Sequence, residues 1–188
     1  MRCSVYIATS LDGFIARPDG RIDWLMAAAD PNAETDYGYA EFTATIDCMI
    51  MGRATLEQLL TFGQWPYGDT RLIVLSNTLT AVPEGAPDTV ELYSGDLRVL
   101  LDRLAAQGHQ HAYVDGGQTI QSFLREGLIN DLIITAIPLL IGEGLPLFGP
   151  LPADQPLHHL RTTAYPNGFV QSVYEVAASH PSQDSVLE

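Results

Sequence analysis

Two short segments combine glycine with the start of a predicted helix, a pattern that can bind a phosphate. In MIMGRATLEQLL the strand ends at Gly52, and in AYVDGGQTIQSFL it ends at Gly116 and Gly117. Glycine lets the backbone approach a ligand closely, and a helix start offers unpaired N–H groups and a positive dipole end. Parallel strands end at one sheet edge, so both segments could hold one pyrophosphate, although each glycine could also serve only a tight turn. Neither segment matches G-x-G-x-x-G, which disfavours a classical dinucleotide-binding fold.

The basic residues are nine arginines, with no lysine, against 23 acidic residues and a formal charge of −14. This excludes a P-loop and a Schiff-base enzyme, which both need lysine, and a nucleic-acid binder, which needs a basic face. Cys3 and Cys48 lie in apolar runs and are predicted to be core residues. The histidine spacing indicates no metal site, and no run reaches the ~20 apolar residues of a membrane span. We therefore expect a cytoplasmic protein.

Apolar, β-branched runs alternate with helical patterns along the 188 residues, which suit one domain. Strands are predicted at 3–8, 47–52, 71–76, 89–94, 111–116, 131–137, 157–165 and 169–177. Helices are predicted at 36–46, 54–62, 96–108 and 118–127, with Asp96 capping the third and Gly108 ending it. The alternation indicates a largely parallel α/β sheet covered on both faces. The turn Pro166-Asn167-Gly168 predicts an antiparallel hairpin at the end.

Three motifs resemble known reductases. MGRATLEQLL followed by RLIVLSN resembles the M-G-R-x-T-x-E and L-S segments of dihydrofolate reductases. VDGGQTIQSFLREGLINDLIITAIPLLIGEGLPLFG resembles the C-terminal reductase domain of the bifunctional riboflavin-biosynthesis deaminase–reductase, and ATSLDGFIARPDGRIDWL resembles its S-L-D-G-x-I-A opening. The likeness implies a dihydrofolate reductase-like three-layer sandwich with a mostly parallel eight-stranded central sheet and an antiparallel C-terminal hairpin. It predicts one domain over residues 1–178 and a flexible tail over 179–188.

The resemblance also implies NADPH as cofactor. By motif, the pyrophosphate would lie between two sets of residues, Gly52, Arg53, Ala54 and Thr55 on one side and Gly116, Gly117, Gln118, Thr119 and Ile120 on the other. The adenosine would lie along Leu75, Ser76 and Asn77, with Arg53 near the 2′-phosphate. Ala8 and Ile15 would flank the nicotinamide beneath residues 9–24, a segment suited to closing as a lid.

The catalytic residues follow from the same resemblance. Counting back from Met51-Gly52-Arg53 places the substrate-binding aspartate of dihydrofolate reductases at Asp36, and its accompanying threonine falls at Thr135. Asp36 also suits a plain N-terminal helix position, where the dipole favours a carboxylate. Asp115 would repel a pyrophosphate unless it points away or binds a substrate group, and the sequence leaves both possibilities open.

Departures from both families limit the functional prediction. The arginine that binds the folate glutamate would fall at Thr70, next to Arg71, and a basic residue of the riboflavin reductases is replaced by Phe14. The zinc deaminase signature is absent. We expect an NADPH-dependent reductase of a small pyrimidine- or pterin-like heterocycle, most like 5-amino-6-(5-phosphoribosylamino)uracil reductase of riboflavin biosynthesis. The alternatives are a dihydrofolate reductase and a non-catalytic dinucleotide-binding module. The apolar run 137–149 predicts a homodimer, with no nucleic-acid or membrane partner.

Overall fold

The computed structural model describes residues 1–28 and 35–177, so the predicted tail at 179–188 lies outside it. Ten strands and five helices are present in these residues. In chain order they are β1 (Arg2–Ser10), β2 (Phe14–Ala16), α1 (Asp23–Ala28), α2 (Tyr39–Thr43), β3 (Cys48–Gly52), α3 (Arg53–Leu60), β4 (Arg71–Leu75), β5 (Val90–Tyr93), α4 (Leu97–Ala106), β6 (His111–Asp115), α5 (Gly117–Arg125), β7 (Asp131–Ile137), β8 (Leu145–Pro146), β9 (Leu157–Ala164) and β10 (Val170–Val176).

Eight of the strands form one sheet in the order β5-β4-β3-β6-β1-β7-β10-β9. The six strands from β5 to β7 are parallel, whereas β10 runs antiparallel to both β7 and β9. The predicted fold class is therefore confirmed, including the C-terminal hairpin. From the neighbouring strands β3 and β6 the chain leaves in opposite directions, to β4 and to β7. This makes the β3–β6 pair a topological switch point, the place where open α/β sheets bind ligands.

Helices cover both faces of the sheet because alternate strand residues point to opposite sides. On one face, α4 and α5 bury Leu100, Leu104 and Phe123 against the sheet. On the other face, Phe42 of α2 and Leu56 of α3 pack on a second apolar cluster. The result is three layers, and α3 and α5 begin on opposite faces at the same sheet edge.

The chain also forms small elements that its periodicity does not indicate. The strands β2 and β8 pair as a separate two-stranded sheet, and α1 buries Trp24 near the carboxyl end of β7. Both strands are too short to show a repeat, so tertiary contacts hold them in place. The Asp12 carboxylate, for example, accepts the backbone N–H groups of Ile141 and Gly142. Within residues 1–28 and 35–177, every helix is too short or too polar to span a bilayer.

Candidate active site

The two glycine junctions contact each other at the switch point. Gly52 ends β3 and Gly116 follows β6, and a Cβ on Gly52 would lie 3.1 Å from the Thr119 hydroxyl of α5. Conversely, a Cβ on Gly116 would collide with the Thr55 hydroxyl of α3, and Gly116 has a φ of 89° that strongly favours glycine. Each junction therefore needs a glycine because the other helix start is so close.

The first turns of α3 and α5 together offer a cradle for an anion. Arg53, Ala54 and Gln118 are exposed at these helix starts. The N-caps, Gly52 and Gly116, carry no side chain that could satisfy the first N–H groups, so these donors remain available. Arg53 makes only a long contact of 3.6 Å with Glu57 and has a half-exposed side chain. Thr119 and Ile120 are buried and anchor the start of α5. These residues fit the pyrophosphate of a dinucleotide.

The end of β4 extends this edge of the sheet. Leu75 pairs with Gly52 in register and packs on the apolar core, which fixes the strand end beside α3. The hydroxyl oxygen of Ser76 accepts the backbone N–H groups of Thr78 and Leu79, and so holds the turn that follows. Asn77 is exposed at this turn. The three residues proposed to lie along an adenosine are therefore next to the cradle.

Ile15 connects the β2–β8 sheet to the second glycine junction. A Cβ on Gly117 would lie 2.8 Å from the Ile15 side chain and 3.3 Å from the Pro146 carbonyl oxygen. Ala8 lies on β1 in register with Thr135 of β7, on the same face of the sheet. The structure thus brings Ile15 to the cradle and Ala8 to the predicted substrate threonine.

Asp36 has an exposed side chain that organises the start of α2. Its two carboxylate oxygens accept the backbone N–H groups of Gly38 and Ala40 at 2.9 and 2.7 Å. These two bonds lower the pKa of the Asp36 carboxyl below its ordinary value. This geometry fits the interpretation of Asp36 as a residue at the N-terminus of a helix. A carboxylate has about four acceptor positions, so two remain for another ligand.

A buried polar cluster joins Thr135 to the segment that follows Asp36. The Gln171 side-chain amide of β10 donates to the Thr135 hydroxyl oxygen at 3.1 Å and to the Tyr37 carbonyl oxygen at 3.0 Å. Tyr6 of β1 donates its hydroxyl to the same carbonyl at 2.9 Å. Thr135 and Gln171 are almost fully buried. The predicted pair is therefore near in space, linked through Tyr37 and Gln171 rather than by a direct bond.

Asp115 is the group whose role the sequence leaves open. It ends β6 and shares a face of the sheet with Tyr113, because side chains alternate along a strand. Its carboxylate accepts the backbone N–H of Gly116 at 2.8 Å. Burial raises the pKa of the Asp115 carboxyl to about 6, against the lowering effect of that hydrogen bond. Together with burial, the charge of Asp115 raises the pKa values of Tyr39, Tyr67 and Tyr113. Asp115 thus points towards these three tyrosines.

The three tyrosines belong to a cavity of about 340 Å³ on the α2 face of the sheet. Its walls come from α2, the start of β3, the connection from α3 to β4, and β6. The lining residues are Tyr39, Ala40, Thr43, Ala44, Ile46, Met49, Pro66, Tyr67, Thr70 and Tyr113. This volume falls at the lower end of the range for small-molecule sites. Sequence reasoning missed both the cavity and the direction of Asp115, although the alternation of Tyr113 and Asp115 on one strand was a usable signal.

One group of three possible metal ligands occurs in the described residues. One ligand atom from each of Asp47, Cys48 and His109 lies within 4.8 Å of the other two. Burial raises the pKa of the Cys48 thiol to about 12, so it is protonated at neutral pH. One Asp47 oxygen already accepts the backbone N–H groups of Gln110 and His111. These bonds account for the cluster as a packing feature at the start of β3 and β6.

The fold and the glycine cradle define a dihydrofolate reductase-like α/β protein. The family model described as the RibD C-terminal domain matches residues 4–171, and the chain belongs to this family. It is thus a reductase-type domain related to the riboflavin-biosynthesis enzymes.

Similar proteins agree with this assignment. The Bacillus subtilis (strain 168) protein called "Uncharacterized protein YwjB" is 36% identical over 147 residues, which cover 77% of this chain and 80% of that protein. A crystal structure from Shewanella sp. PV-4, whose name places it provisionally in riboflavin biosynthesis, is 40% identical with a TM-score of 0.89 and covers 95% of this chain and 100% of that one.

A more distant structure shows the fold alone. The Thermotoga maritima diaminohydroxyphosphoribosylaminopyrimidine deaminase/5-amino-6-(5-phosphoribosylamino)uracil reductase is 14% identical with a TM-score of 0.69. The match covers 94% of this chain and 56% of the Thermotoga chain.

Proposed function

We propose that this protein is an NADPH-dependent reductase that transfers hydride to a small pyrimidine- or pterin-like heterocycle, as an aminouracil reductase of riboflavin biosynthesis does. The observation that carries this proposal is the mutual packing of the two glycine junctions at the switch point. Gly52 and Gly116 are kept small by the opposite helix start, and both helix starts keep free N–H donors. This arrangement brings helix-start N–H donors from both sides of one strand pair to one place, where a phosphate could accept them.

In this proposal the cofactor lies along the carboxyl edge from β4 to β1. The first turns of α3 and α5 hold the pyrophosphate, and Leu75, Ser76 and Asn77 border the adenosine. Arg53 meets the 2′-phosphate, because its side chain is half-exposed and only weakly paired. Ala8 and Ile15 border the nicotinamide. When bound, NADPH supplies the hydride, and the chain supplies position and electrostatics.

Asp115 is the proposed proton-holding group. Its pKa of about 6 means that the carboxyl exchanges a proton near neutral pH, as a general acid must. Its side chain lies on the face of the sheet that carries Tyr113, opposite to the face on which α5 packs. Thr135 and Asp36 remain proposed substrate contacts, Thr135 through its hydroxyl and Asp36 through its two remaining acceptor positions.

The structure favours this proposal over a dihydrofolate reductase. A folate substrate carries a glutamate carboxylate that needs a cation, and Arg71 is the basic residue nearest in sequence to the expected position. Its guanidinium instead donates to Glu91 at 2.7 Å and to Gln107 at 2.8 Å. A non-catalytic dinucleotide-binding module would bind NADPH equally well but would have no use for an Asp115 that holds a proton.

We further propose that the protein is a cytoplasmic homodimer. Every residue of the edge strand β9 is exposed, including Leu157 and Leu160. Val170, which pairs with Ala164 of β9, is also exposed, and the segment between β7 and β9 exposes Leu139, Leu140, Leu145, Phe148 and Leu151. A long, uncovered edge strand with exposed leucines is a liability in a monomer, and a second copy of the chain would cover it.

Calorimetric titration with NADPH and NADH tests the cofactor site. The wild-type chain should bind NADPH with micromolar affinity, and Gly52→Ala should weaken binding at least tenfold, or about 1.4 kcal/mol, because its methyl group narrows the gap to Thr119. The backbone at Gly52 suits alanine, with a φ of −87°, so the variant should fold. The control is Gly127→Ala at the other end of α5, where a Cβ meets no atom within 4 Å but the φ of 64° disfavours alanine; this variant should lower stability and leave the affinity for NADPH unchanged.

Turnover is tested by loss of nicotinamide absorbance with pterin and pyrimidine substrates. Oxidation of NADPH by any of them separates the reductase from the binding module. Unchanged affinity in Gly52→Ala, or no binding of either nucleotide by the wild-type chain, would contradict the proposed site.

A further inference from the structure

The cavity on the α2 face of the sheet is the space considered for a substrate of the proposed reductase. Tyr113, which lines it, is two residues before Asp115 on β6, and Tyr39, which also lines it, follows the segment held by Asp36. Its volume of about 340 Å³ is roughly twice that of an engineered cavity of about 150 Å³ that accommodates benzene. It therefore has room for a molecule of one or two rings. Its walls combine aromatic rings and the Met49 side chain with the hydroxyl groups of Thr43 and Thr70.

No basic side chain lines this cavity among the residues that the structure describes. The chain holds nine arginines and no lysine, all nine within residues 1–28 and 35–177. Six of them form ion pairs with carboxylates, namely Arg2, Arg17, Arg21, Arg53, Arg71 and Arg103. Arg98 donates to the Glu126 carbonyl and Arg125 to the Ser122 hydroxyl. Arg161 lies on β9, at the edge of the sheet and four strands from β6.

Arg71 comes closest in sequence, but strand alternation directs it to the opposite face. Leu72 and Val74 of β4 pack in the cluster that borders the cavity, so Arg71 and Ile73 face the other way. The guanidinium of Arg71 is held there by Glu91 and by Gln107, the residue that ends α4. Thr70, one residue earlier, contributes to the cavity wall.

The charge next to the cavity is negative. Asp115 does not line the cavity, but it lies on the same face of the sheet and its charge acts on three tyrosines that do. A phosphate placed in the cavity would be near this charge and would have no cation among the lining residues. A phosphate without a basic partner in a partly enclosed site loses hydration and gains repulsion. An uncharged ring, in contrast, meets no such repulsion.

We propose that the cavity selects an uncharged one- or two-ring heterocycle without a phosphate group. This proposal rests on the proposed reductase function and specifies its substrate class. The name of the Thermotoga maritima protein specifies a phosphoribosylamino substrate. The present chain has the cofactor cradle of that fold with a cavity that lacks a partner for such a phosphate.

The test compares two probes that differ only in a phosphate. Uridine and uridine 5′-phosphate are titrated by calorimetry into the full chain, first alone and then saturated with NADPH, with pterin as a two-ring probe. Uridine and pterin should bind, and uridine 5′-phosphate should bind at least tenfold more weakly than uridine. Ala44→Trp, which fills the cavity from α2, should abolish binding of uridine and leave the affinity for NADPH unchanged.

A variant that adds a cation to the cavity tests the same proposal through a gain in affinity rather than through a loss. Thr70→Arg places a guanidinium in the cavity wall and should improve the affinity for uridine 5′-phosphate at least tenfold, since a charge-assisted bond to phosphate is strong. Thr61→Arg is the matched control, because it adds the same charge on an exposed residue at the end of α3. It should change neither affinity.

The two proposals can fail separately. Failure of the chain to bind NADPH contradicts the proposed function. Normal binding of NADPH with uridine 5′-phosphate bound as tightly as uridine, or with neither uridine nor pterin bound, overturns the substrate class alone. An equal gain in Thr70→Arg and Thr61→Arg would also overturn it, because the added charge would then act from anywhere on the surface.

Discussion

Replacing Asp115 with asparagine removes a titrating group from the carboxyl edge of the sheet and keeps the shape of the side chain. The asparagine oxygen can still accept the Gly116 N–H that lies 2.8 Å from the carboxylate. Burial raises the pKa of the Asp115 carboxyl from 3.8 to about 6, which corresponds to about 3 kcal/mol between the two protonation states. The native state thus holds the proton more tightly than the unfolded chain does.

The sign of the effect follows from this difference. Between about pH 4 and pH 6 the native state binds more protons at Asp115, so this group's contribution to stability is present at low pH and is lost as the pH rises through about 6. We therefore compare the free energy of unfolding of Asp115→Asn with that of the wild type at each pH. The variant's value minus the wild-type value should be up to about 3 kcal/mol larger above pH 7 than at pH 4. Urea unfolding, followed by tryptophan fluorescence across this pH range, measures the difference between variant and wild type.

The control is Asp102→Asn, the same substitution at an exposed residue of α4. A pH-independent difference for Asp115→Asn, or a difference that moves against the variant as the pH rises, would refute the reasoning. The same variant should lose most NADPH oxidation, because asparagine cannot hold a transferable proton. A gain in stability together with a loss of activity is the pattern expected of a carboxylate retained for function.

Two further predictions concern the cofactor and the assembly. Arg53→Ala should reduce the ratio of the affinities for NADPH and NADH by about tenfold to a hundredfold, as expected for the loss of one charge-assisted contact. Arg98→Ala, at the start of α4, should leave this ratio unchanged. Calorimetry with both nucleotides measures it. An unchanged ratio would remove Arg53 from the 2′-phosphate site. Leu160→Glu on β9 should shift the chain from dimer to monomer in sedimentation velocity, whereas Val99→Glu, equally exposed on α4, should not. A wild-type chain that sediments only as a monomer would contradict the proposed homodimer.

The central sheet could be predicted from the sequence because its strands are long apolar runs. All eight predicted strands are present, and the Asp96 carboxylate caps α4 by accepting the N–H groups of Arg98 and Val99. Gly108 has the left-handed φ of 97° that a helix end requires. The β2–β8 pair, the separate two-stranded sheet, was not predicted. Its strands have three and two residues, too few for a period, and depend on contacts between segments far apart in the chain.

The features of the site that depend on the backbone could be predicted from the sequence. The features that depend on where a side chain points could not. Glycine at a strand end indicates close approach, and the structure shows what approaches, namely the hydroxyl groups of Thr55 and Thr119. The direction of Asp115 depends on strand pairing, which decides whether its face meets α2 or α5. The segment Asp36–Tyr37 depends on Gln171, a partner 134 residues from Tyr37. Such contacts between distant residues leave no periodic signal in one sequence.

Under the two proposals, the scarcity of cations is what lets one acidic chain hold an anionic cofactor and still exclude an anionic substrate. At the switch point the anion is met by backbone N–H groups and two helix dipoles, which need no basic side chain beyond Arg53. The cavity is bordered by α2, whose start offers no such free N–H groups. The Asp36 carboxylate already accepts the N–H groups of Gly38 and Ala40 there. In this proposal, backbone N–H groups favour an anion at the switch point, and the neutral side chains of the cavity disfavour an anion there. A substitution that adds a cation should change substrate choice only within the cavity.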